Sequence, residues 1–310
     1  YNFTNPLTVI TQAVNDLTRI RCIGLCIGPD LTWDHLCRVL GVDKQHTSVA
    51  IGGINHCHWI TDLRIHGEDA FPMLRAALDE LEGNPQAIED YRRKFGLKRP
   101  QEPAGKQPLC SQLFRTLGAY PGPGDGHVAE FFPQLVRPLV ANIEEFQGEA
   151  IRYVYQSYPV LWRKMTEIGR ESAPIDTEAF AKELAWEHTQ FLDILVSRQD
   201  DLGKTFYVNI PNRGYIHNLP DGAVVEVPAQ VDRAGLHPFA LGDLPAPIVP
   251  VMAHKLASLG LIIEAAMEGS RAKAVQAFLN DPHCTDISAG VRLVNKLIDA
   301  QLEFLPRFRS

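Results

Sequence analysis

Helical periodicity covers two long stretches of the chain. From about residue 69 to residue 202, apolar positions recur at three- and four-residue spacing, and the C-terminal third has the same pattern. The clearest single helix is "ISAGVRLVNKLIDAQLEFL", which carries one apolar stripe. The stripe consists of Ile287, Val291, Val294, Ile298 and Leu302. Both stretches are therefore predicted to be mainly helical.

Shorter apolar runs predict strands before and between these stretches. "RIRCIGLC" is typical of a buried strand, and "TSVAIGGINHCHWITDLRIHG" is typical of a strand pair. Strand patterns return in "KTFYVNIPN", "GYIHNLP" and "AVVEVPAQV". Two segments rich in proline or glycine, "KRPQEPAGKQP" and "YPGPGDGHVAEFFP", are predicted to be loops without regular structure. The sequence thus predicts an α+β fold.

Composition and charge narrow the range of functions. The 310 residues are 45% hydrophobic and 22% charged, as in ordinary globular proteins. The net charge of −7 argues against binding to nucleic acid or to an anionic membrane. We find no run of 18 uninterrupted apolar residues and no signal-peptide pattern, so no membrane span is predicted. Six cysteines without disulfide-framework spacing indicate reduced thiols and a cytoplasmic protein.

Cys26 and His56 each lie near the end of a predicted strand, where α/β proteins gather their sites. A thiolate and an imidazole that meet there can bind a divalent transition metal and leave positions open for substrate. Alternatively, Cys26 is a buried apolar residue and His56 a hydrogen-bonded core histidine. Cys57 alternates with His56 and His58 along the strand and is expected in the core. A zinc site built from Cys22, Cys26, His56 and His58 fits no standard spacing.

Two further segments carry candidate site residues. Asp125 precedes His127 by two positions on a glycine-rich turn, an arrangement that suits a general base with an orienting partner. The alternative is that Asp125 caps a helix that starts at Gly126, with Glu130 in solvent. Arg213 offers a planar fork that suits a carboxylate, a phosphate or vicinal hydroxyls, or else forms a surface salt bridge.

Taken in chain order, five segments resemble the patterns of glycoside hydrolase family 4, whose members use NAD and a divalent metal, usually Mn²⁺. The segments are "NFTNP", "GLC", "GINHCHW", "NRGYIHNLPDGAVVEVP" and "AVQAFLNDP". The loop "LGAYPGPGDGHVAEFFP" is similar to the corresponding segment of the α-galacturonidase branch, and is related to that of the α-galactosidases and α-glucosidases. It lacks the "Y-L-x-Y-Y" pattern of the branch that acts on 6-phosphoglucosides, which favours a non-phosphorylated sugar.

The resemblance implies a fold and a domain division. Residues 1–45 correspond to the end of a nucleotide-binding Rossmann domain that carries the metal cysteine. Residues 46–310 correspond to a substrate- and metal-binding α+β domain similar to the C-terminal domain of lactate and malate dehydrogenases. No G-x-G-x-x-G fingerprint follows a strand in this chain, so NAD is implied for the intact enzyme.

The resemblance also implies site residues and a mechanism. Cys26 and His56 correspond to the metal ligands. NAD oxidises the sugar at C3, a base removes the C2 proton, and the glycosidic oxygen leaves by elimination. The base is assigned to Asp125, with Tyr120 and His127 as alternatives. The resemblance also implies that Asn5, Asn55 and Arg213 contact the substrate. It places Asn5 at the cofactor as well.

One departure and two alternatives accompany this interpretation. Ile27 follows Cys26, where the family commonly has a residue able to carry a proton. The first alternative is a dehydrogenase of the lactate/malate type, and the second is a catalytically inactive relative that binds sugar. The long apolar helices at the C-terminus predict a homo-oligomer.

Overall fold

The computed structural model describes residues 1–83, 88–96, 105–136, 156, 158–170 and 189–309. Its centre is a seven-stranded antiparallel sheet in which β3, β2, β1, β6 and β5 are neighbours in that order. β4 pairs with β2, and β7 pairs with β6. The strands are β1 Thr47–Ile54, β2 Cys57–Ile65, β3 Glu68–Asp69, β4 Tyr120–Gly122, β5 Lys204–Pro211, β6 Val224–Asp232 and β7 Gly235–Pro238.

Helices surround this sheet and extend beyond it at the C-terminal end. The first seven are α1 Leu7–Leu17, α2 Gly28–Leu40, α3 Phe71–Leu81, α4 Glu89–Phe95, α5 Pro108–Leu117, α6 Asp125–Val128 and α7 Pro133–Val136. The others are α8 at 158–169, α9 Thr189–Gln199, α10 Val249–Glu268, α11 Arg271–Leu279 and α12 Ile287–Ala300. Short 3₁₀ helices occupy Lys44–His46 and Pro306–Arg309. The predicted α+β class is confirmed.

The hairpin of β1 and β2 places the residues between these strands at one end of the sheet. Ile54 pairs with Cys57, so only Asn55 and His56 form the turn. His56 has a φ of +62°, in the left-handed region that short polar and glycine residues enter most readily. Gly53, which pairs with His58, has a φ of +151°, and a Cβ there would lie 2.5 Å from the Cys57 carbonyl oxygen. The close approach of the two strands therefore requires glycine at this position.

Two hydrophobic cores stabilise the fold. The main core includes Trp59, Ile60 and Leu63 of β2, all with no exposed surface. The smaller core is formed by Ala265, Val294, Ile298 and Phe308. Only part of the apolar stripe predicted on α12 is buried, because Ile287 is 71% exposed.

Helix α10 connects the two cores. Met252 and Leu256 lie in the main core, and Ala265 lies in the smaller one. Within the described ranges it is the one helix whose length and composition would allow it to cross a membrane, a test that core helices also pass. Of its most apolar 18-residue window, 28% is buried.

Several local predictions were wrong. The segment "YPGPGDGHVAEFFP" contains β4, α6 and the start of α7, although a loop was predicted. "GYIHNLP" makes a single bridge between Ile216 and Gly242, and "RIRCIGLC" contributes only bridges at Gly24. Most of "KRPQEPAGKQP" and most of residues 137–188 in the first predicted helical stretch lie outside the described residues.

Candidate functional site

Three side chains able to bind a metal converge at the end of the β1–β2 hairpin. The ligand atoms of His56, His127 and Glu130 all lie within 4.8 Å of one another. The rings of His56 and His127 have centroids 4.2 Å apart, and His127 Nδ1 lies 3.3 Å from Glu130 Oε1. Imidazole and carboxylate donors suit a first-row divalent ion such as Mn²⁺. The chemistry of this donor set therefore fits the metal that the resemblance implies.

His56 is supported by its turn and by the charges around it. Burial lowers the pKa of His56, and the nearby His127 lowers it further, while Glu226 and Glu130 oppose the shift. The ring is therefore neutral near pH 7, which is the form that binds a metal. The preceding Asn55 is buried, and its Nδ2 has no hydrogen-bond partner in the described part of the chain. An unpaired buried donor beside the candidate metal site is available to a ligand.

His127 and Glu130 lie on the solvent side of this group. Their side chains are 48% and 54% exposed. Burial opposes ionisation of Glu130, but its contact with His127 and the other positive charges nearby lower its pKa overall. Glu130 is therefore a carboxylate that orients the imidazole of His127.

Cys26 is partly buried and lies directly before α2. The amide of Gly28 donates a hydrogen bond to Cys26 Sγ over 3.3 Å. This donor and the N-terminal end of α2 favour negative charge on the sulfur. Cys26 is not a member of the group formed by His56, His127 and Glu130. Its assignment as a metal ligand stays a prediction.

A buried histidine–glutamate pair lies behind Cys26. His58 Nδ1 is 3.0 Å from Glu226 Oε2, and neither side chain has any exposed surface. Asn209 donates to Glu226 Oε1 over 2.7 Å, and Thr32 Oγ1 lies 2.8 Å from His58 Nε2. The sequence analysis did not identify this pair. A glutamate inside the apolar run "AVVEVPAQV" was the available signal, because a charge in a buried strand requires a partner.

Gly122 of β4 covers the contact between His58 and Thr32. A Cβ at Gly122 would overlap both His58 Nε2 and Thr32 Oγ1. We expect Gly122→Ala to destabilise the protein by about 1–3 kcal/mol through overpacking, measured by urea unfolding. The matched control is Gly126→Ala on α6, where a Cβ meets nothing within 4 Å. Equal stability of the two variants would contradict this account of Gly122.

Both carboxylate oxygens of Asp125 are committed to backbone donors. Asp125 Oδ2 accepts from the amide of Leu109 over 3.0 Å, and Oδ1 accepts from that of Cys110 over 2.9 Å. Asp125 thus caps α5, a different helix from the one that the capping alternative named. Gln107 accepts a hydrogen bond from the Asp125 amide over 2.7 Å and fixes the same turn. These contacts favour a structural role for Asp125.

Tyr120 is enclosed by the main core. It is 1% exposed, and burial raises the pKa of its hydroxyl well above the usual range, with Cys110 and Asp125 adding to the shift. Its hydroxyl has no partner among the described residues. A buried phenol that resists ionisation is poorly suited to accept a proton from a substrate.

Asn5 lies in a local turn, and Arg213 lies at the wall of a cavity. Asn5 is exposed, and its Oδ1 accepts from the Leu7 amide over 3.3 Å. Arg213 lines a cavity of about 490 Å³ together with Val208 and Ile210 of β5. Asn209 lies between Val208 and Ile210 on β5, so its side chain is on the other face of the sheet. Asn209 donates to Glu226, and the buried pair of His58 and Glu226 therefore lies on the face opposite the cavity.

Comparison with known proteins identifies the class and the family. Residues 51–284 match the model of the family 4 glycosyl hydrolase C-terminal domain. The chain belongs to family 4 of the glycosyl hydrolases, and the resemblance found in its motifs is confirmed.

Relatives and solved structures agree with this assignment. The α-galactosidase of Bacillus subtilis (strain 168) is 24% identical over 99% of this chain and 67% of its own length. The α-galacturonidase of the same organism is 26% identical over 91% of this chain and 62% of its own length. A 6-phospho-α-glucosidase from gut microorganisms, solved with NAD and glucose-6-phosphate, has a TM-score of 0.72 at 21% identity, covering 98% of this chain and 67% of that one. The last comparison shows the fold alone.

Proposed function

We propose that this chain forms the sugar- and metal-binding part of an α-glycosidase that acts on α-galacturonides or α-galactosides. Residues 1–45 are proposed as the end of the nucleotide-binding domain, and residues 46–310 as the substrate- and metal-binding domain. The curated relatives include α-galactosidases and α-galacturonidases, of which the chain spans 60 to 67%. The observation that carries the proposal is the convergence of His56, His127 and Glu130 at the end of the hairpin.

His56 is proposed as the central ligand of a divalent ion, with Cys26 as the thiolate ligand from the neighbouring loop. A bound Mn²⁺ would supply Lewis-acid polarisation of the sugar oxygens. The buried Asn55 supplies a free amide donor for a sugar hydroxyl beside the ion. The neutral state of His56 keeps its ring nitrogen available.

His127 is proposed as the base that removes the proton at C2, with Glu130 as its orienting partner. The imidazole is exposed to a substrate and lies beside His56. The carboxylate of Glu130 stabilises the imidazolium that forms when His127 takes a proton. Asp125 and Tyr120 are less suited, because the first caps a helix and the second is buried.

NAD is proposed for the intact protein only. The 310 residues contain no G-x-G-x-x-G turn between a strand and a helix, so the residues of this chain do not fit a dinucleotide site of the usual kind. No step involving a hydride is therefore assigned to these residues.

The surroundings of the protein are proposed on two observations. The structure assigns no disulfide to the six cysteines, which supports the reducing environment of the cytoplasm. The C-terminal helices expose large apolar side chains, which supports assembly with further copies of the chain. These include Ile287 at 71%, Leu297 at 51% and Phe304 at 75% exposure.

Hydrolysis of p-nitrophenyl α-galacturonide and p-nitrophenyl α-galactoside, with NAD, Mn²⁺ and a reductant, tests the proposal. We expect turnover of one of the two in the protein with its nucleotide-binding domain, and loss of turnover on addition of a chelator. Oxidation of a hydroxy acid that survives the chelator would instead favour the dehydrogenase. Sugar binding without turnover would favour an inactive relative.

A further inference from the structure

The buried pair of His58 and Glu226 joins elements that are far apart in the sequence. His58 belongs to β2 and Glu226 to β6, while Thr32 belongs to α2. Thr32 Oγ1 donates to the Gly28 carbonyl over 2.9 Å and also contacts His58 Nε2. Thr32 Oγ1 therefore bridges the Gly28 carbonyl and the ring of His58. The first turn of α2 is thus tied to the ring of His58.

The same turn holds Cys26. The Gly28 amide donates to Cys26 Sγ, and the Gly28 carbonyl accepts from Thr32. A Cβ at Gly28 would lie 3.3 Å from Cys26 Sγ and 3.1 Å from His58 Cε1, so sulfur and ring flank the same α-carbon. Any movement of the first turn relative to His58 therefore moves the sulfur.

The strand that carries His58 also carries the hairpin turn with His56. One residue, Cys57, separates the histidines, so a fixed distance between His58 and the first turn of α2 fixes Cys26 relative to His56. On the other side of the ring, Glu226 Oε2 lies 3.0 Å from His58 Nδ1, and Asn209 donates to Glu226 Oε1.

We propose that His58, Glu226 and Thr32 form a positioning unit that sets the place of Cys26 relative to His56. None of the three touches the substrate or the ion. The proposal rests on the proposed function, because it assumes that Cys26 and His56 share a metal. It assigns a role to a buried histidine two residues from the candidate ligand and to the glutamate of "AVVEVPAQV".

Alkylation of Cys26 by iodoacetamide, followed by peptide mass spectrometry, tests this unit in the chain without its cofactor. Cys284 is also partly buried and serves as the internal reference, since the remaining four thiols are buried. In the unmodified chain, Mn²⁺ is expected to protect Cys26 and not Cys284. In Thr32→Val, the Mn²⁺ concentration for half-protection should rise by about tenfold, the lower end of the range for residues that support metal ligands. Thr32→Ser, which keeps the hydroxyl group, should restore the Mn²⁺ concentration for half-protection to that of the unmodified chain.

Thr47→Val is the matched control. Thr47 Oγ1 accepts from Trp33 Nε1 over 2.8 Å and donates to the Lys44 carbonyl over 2.7 Å, so it has the same two kinds of contact and also holds α2. Equal shifts in Thr32→Val and Thr47→Val would show general loosening of the helix and overturn the proposal. Protection in the unmodified chain with no shift in Thr32→Val would also overturn it. Absence of protection in the unmodified chain would refute the metal role of Cys26 and overturn this positioning role, whereas the site around His56 is tested separately by the loss of turnover with a chelator.

Discussion

His56→Asn is expected to lower the affinity of the chain for Mn²⁺ by more than about 100-fold, beyond the usual loss when a residue supporting a ligand is changed. Asparagine removes the imidazole, yet it tolerates the left-handed backbone that His56 adopts at φ +62°. The loss is therefore expected in a folded protein. Calorimetric titration with Mn²⁺ measures the affinity, and a thermal melt checks the fold.

His66→Asn is the matched control for this variant. His66 also has a positive φ, +50°, and follows the same strand at its other end. It is exposed and is not part of the group around His56. We expect its Mn²⁺ affinity to equal that of the unmodified chain. An unchanged affinity in His56→Asn would mean that the ion is bound elsewhere.

Glu226→Ala is expected to lower the free energy of unfolding by about 1–3 kcal/mol, the usual cost of leaving a buried polar group without its partner. His58 would keep a buried polar ring without its partner, and Asn209 would lose its acceptor. Urea unfolding near pH 7 measures the loss. Glu226→Gln should be milder, because the amide oxygen still accepts from Asn209.

The exposed pair of Glu68 and Lys94 provides the comparison. Their side chains are 56% and 57% exposed, so water and salt screen their interaction. Glu68→Ala should therefore change the urea midpoint little. If Glu226→Ala were equally mild, the contact between His58 and Glu226 would contribute little to folding.

The hairpin and the helices were predictable from the sequence because their hydrophobic patterns are local. Strands β1, β2, β5 and β6 agree with the predicted runs, and Cys57 is in the core as its alternation with the histidines predicts. The short elements after Tyr120 were missed, because their prolines and glycines break periodicity. β4 exists through its pairing with β2, which no local pattern records.

The candidate site was predictable in part. His56 and His127 were both singled out, but the contact between their rings depends on how α6 lies against the hairpin, and local spacing does not determine that. The sequence suggests a base at Asp125. Its hydrogen bonds to the amides of Leu109 and Cys110 span sixteen and fifteen residues, so local spacing does not reveal them. Long-range hydrogen bonds of this kind decide whether a carboxylate caps a helix or takes part in chemistry.

The two-residue turn at the end of the hairpin divides the site into a part that is difficult to alter and a part that is easily altered. Asn55 and His56 join two paired strands directly, so an insertion or deletion there would disturb the pairing of the central sheet. His127 and Glu130 lie on and just after a helix of four residues, with exposed side chains. If the proposed site is correct, changes around α6 would alter the exposed imidazole and carboxylate while leaving the turn that carries His56 intact.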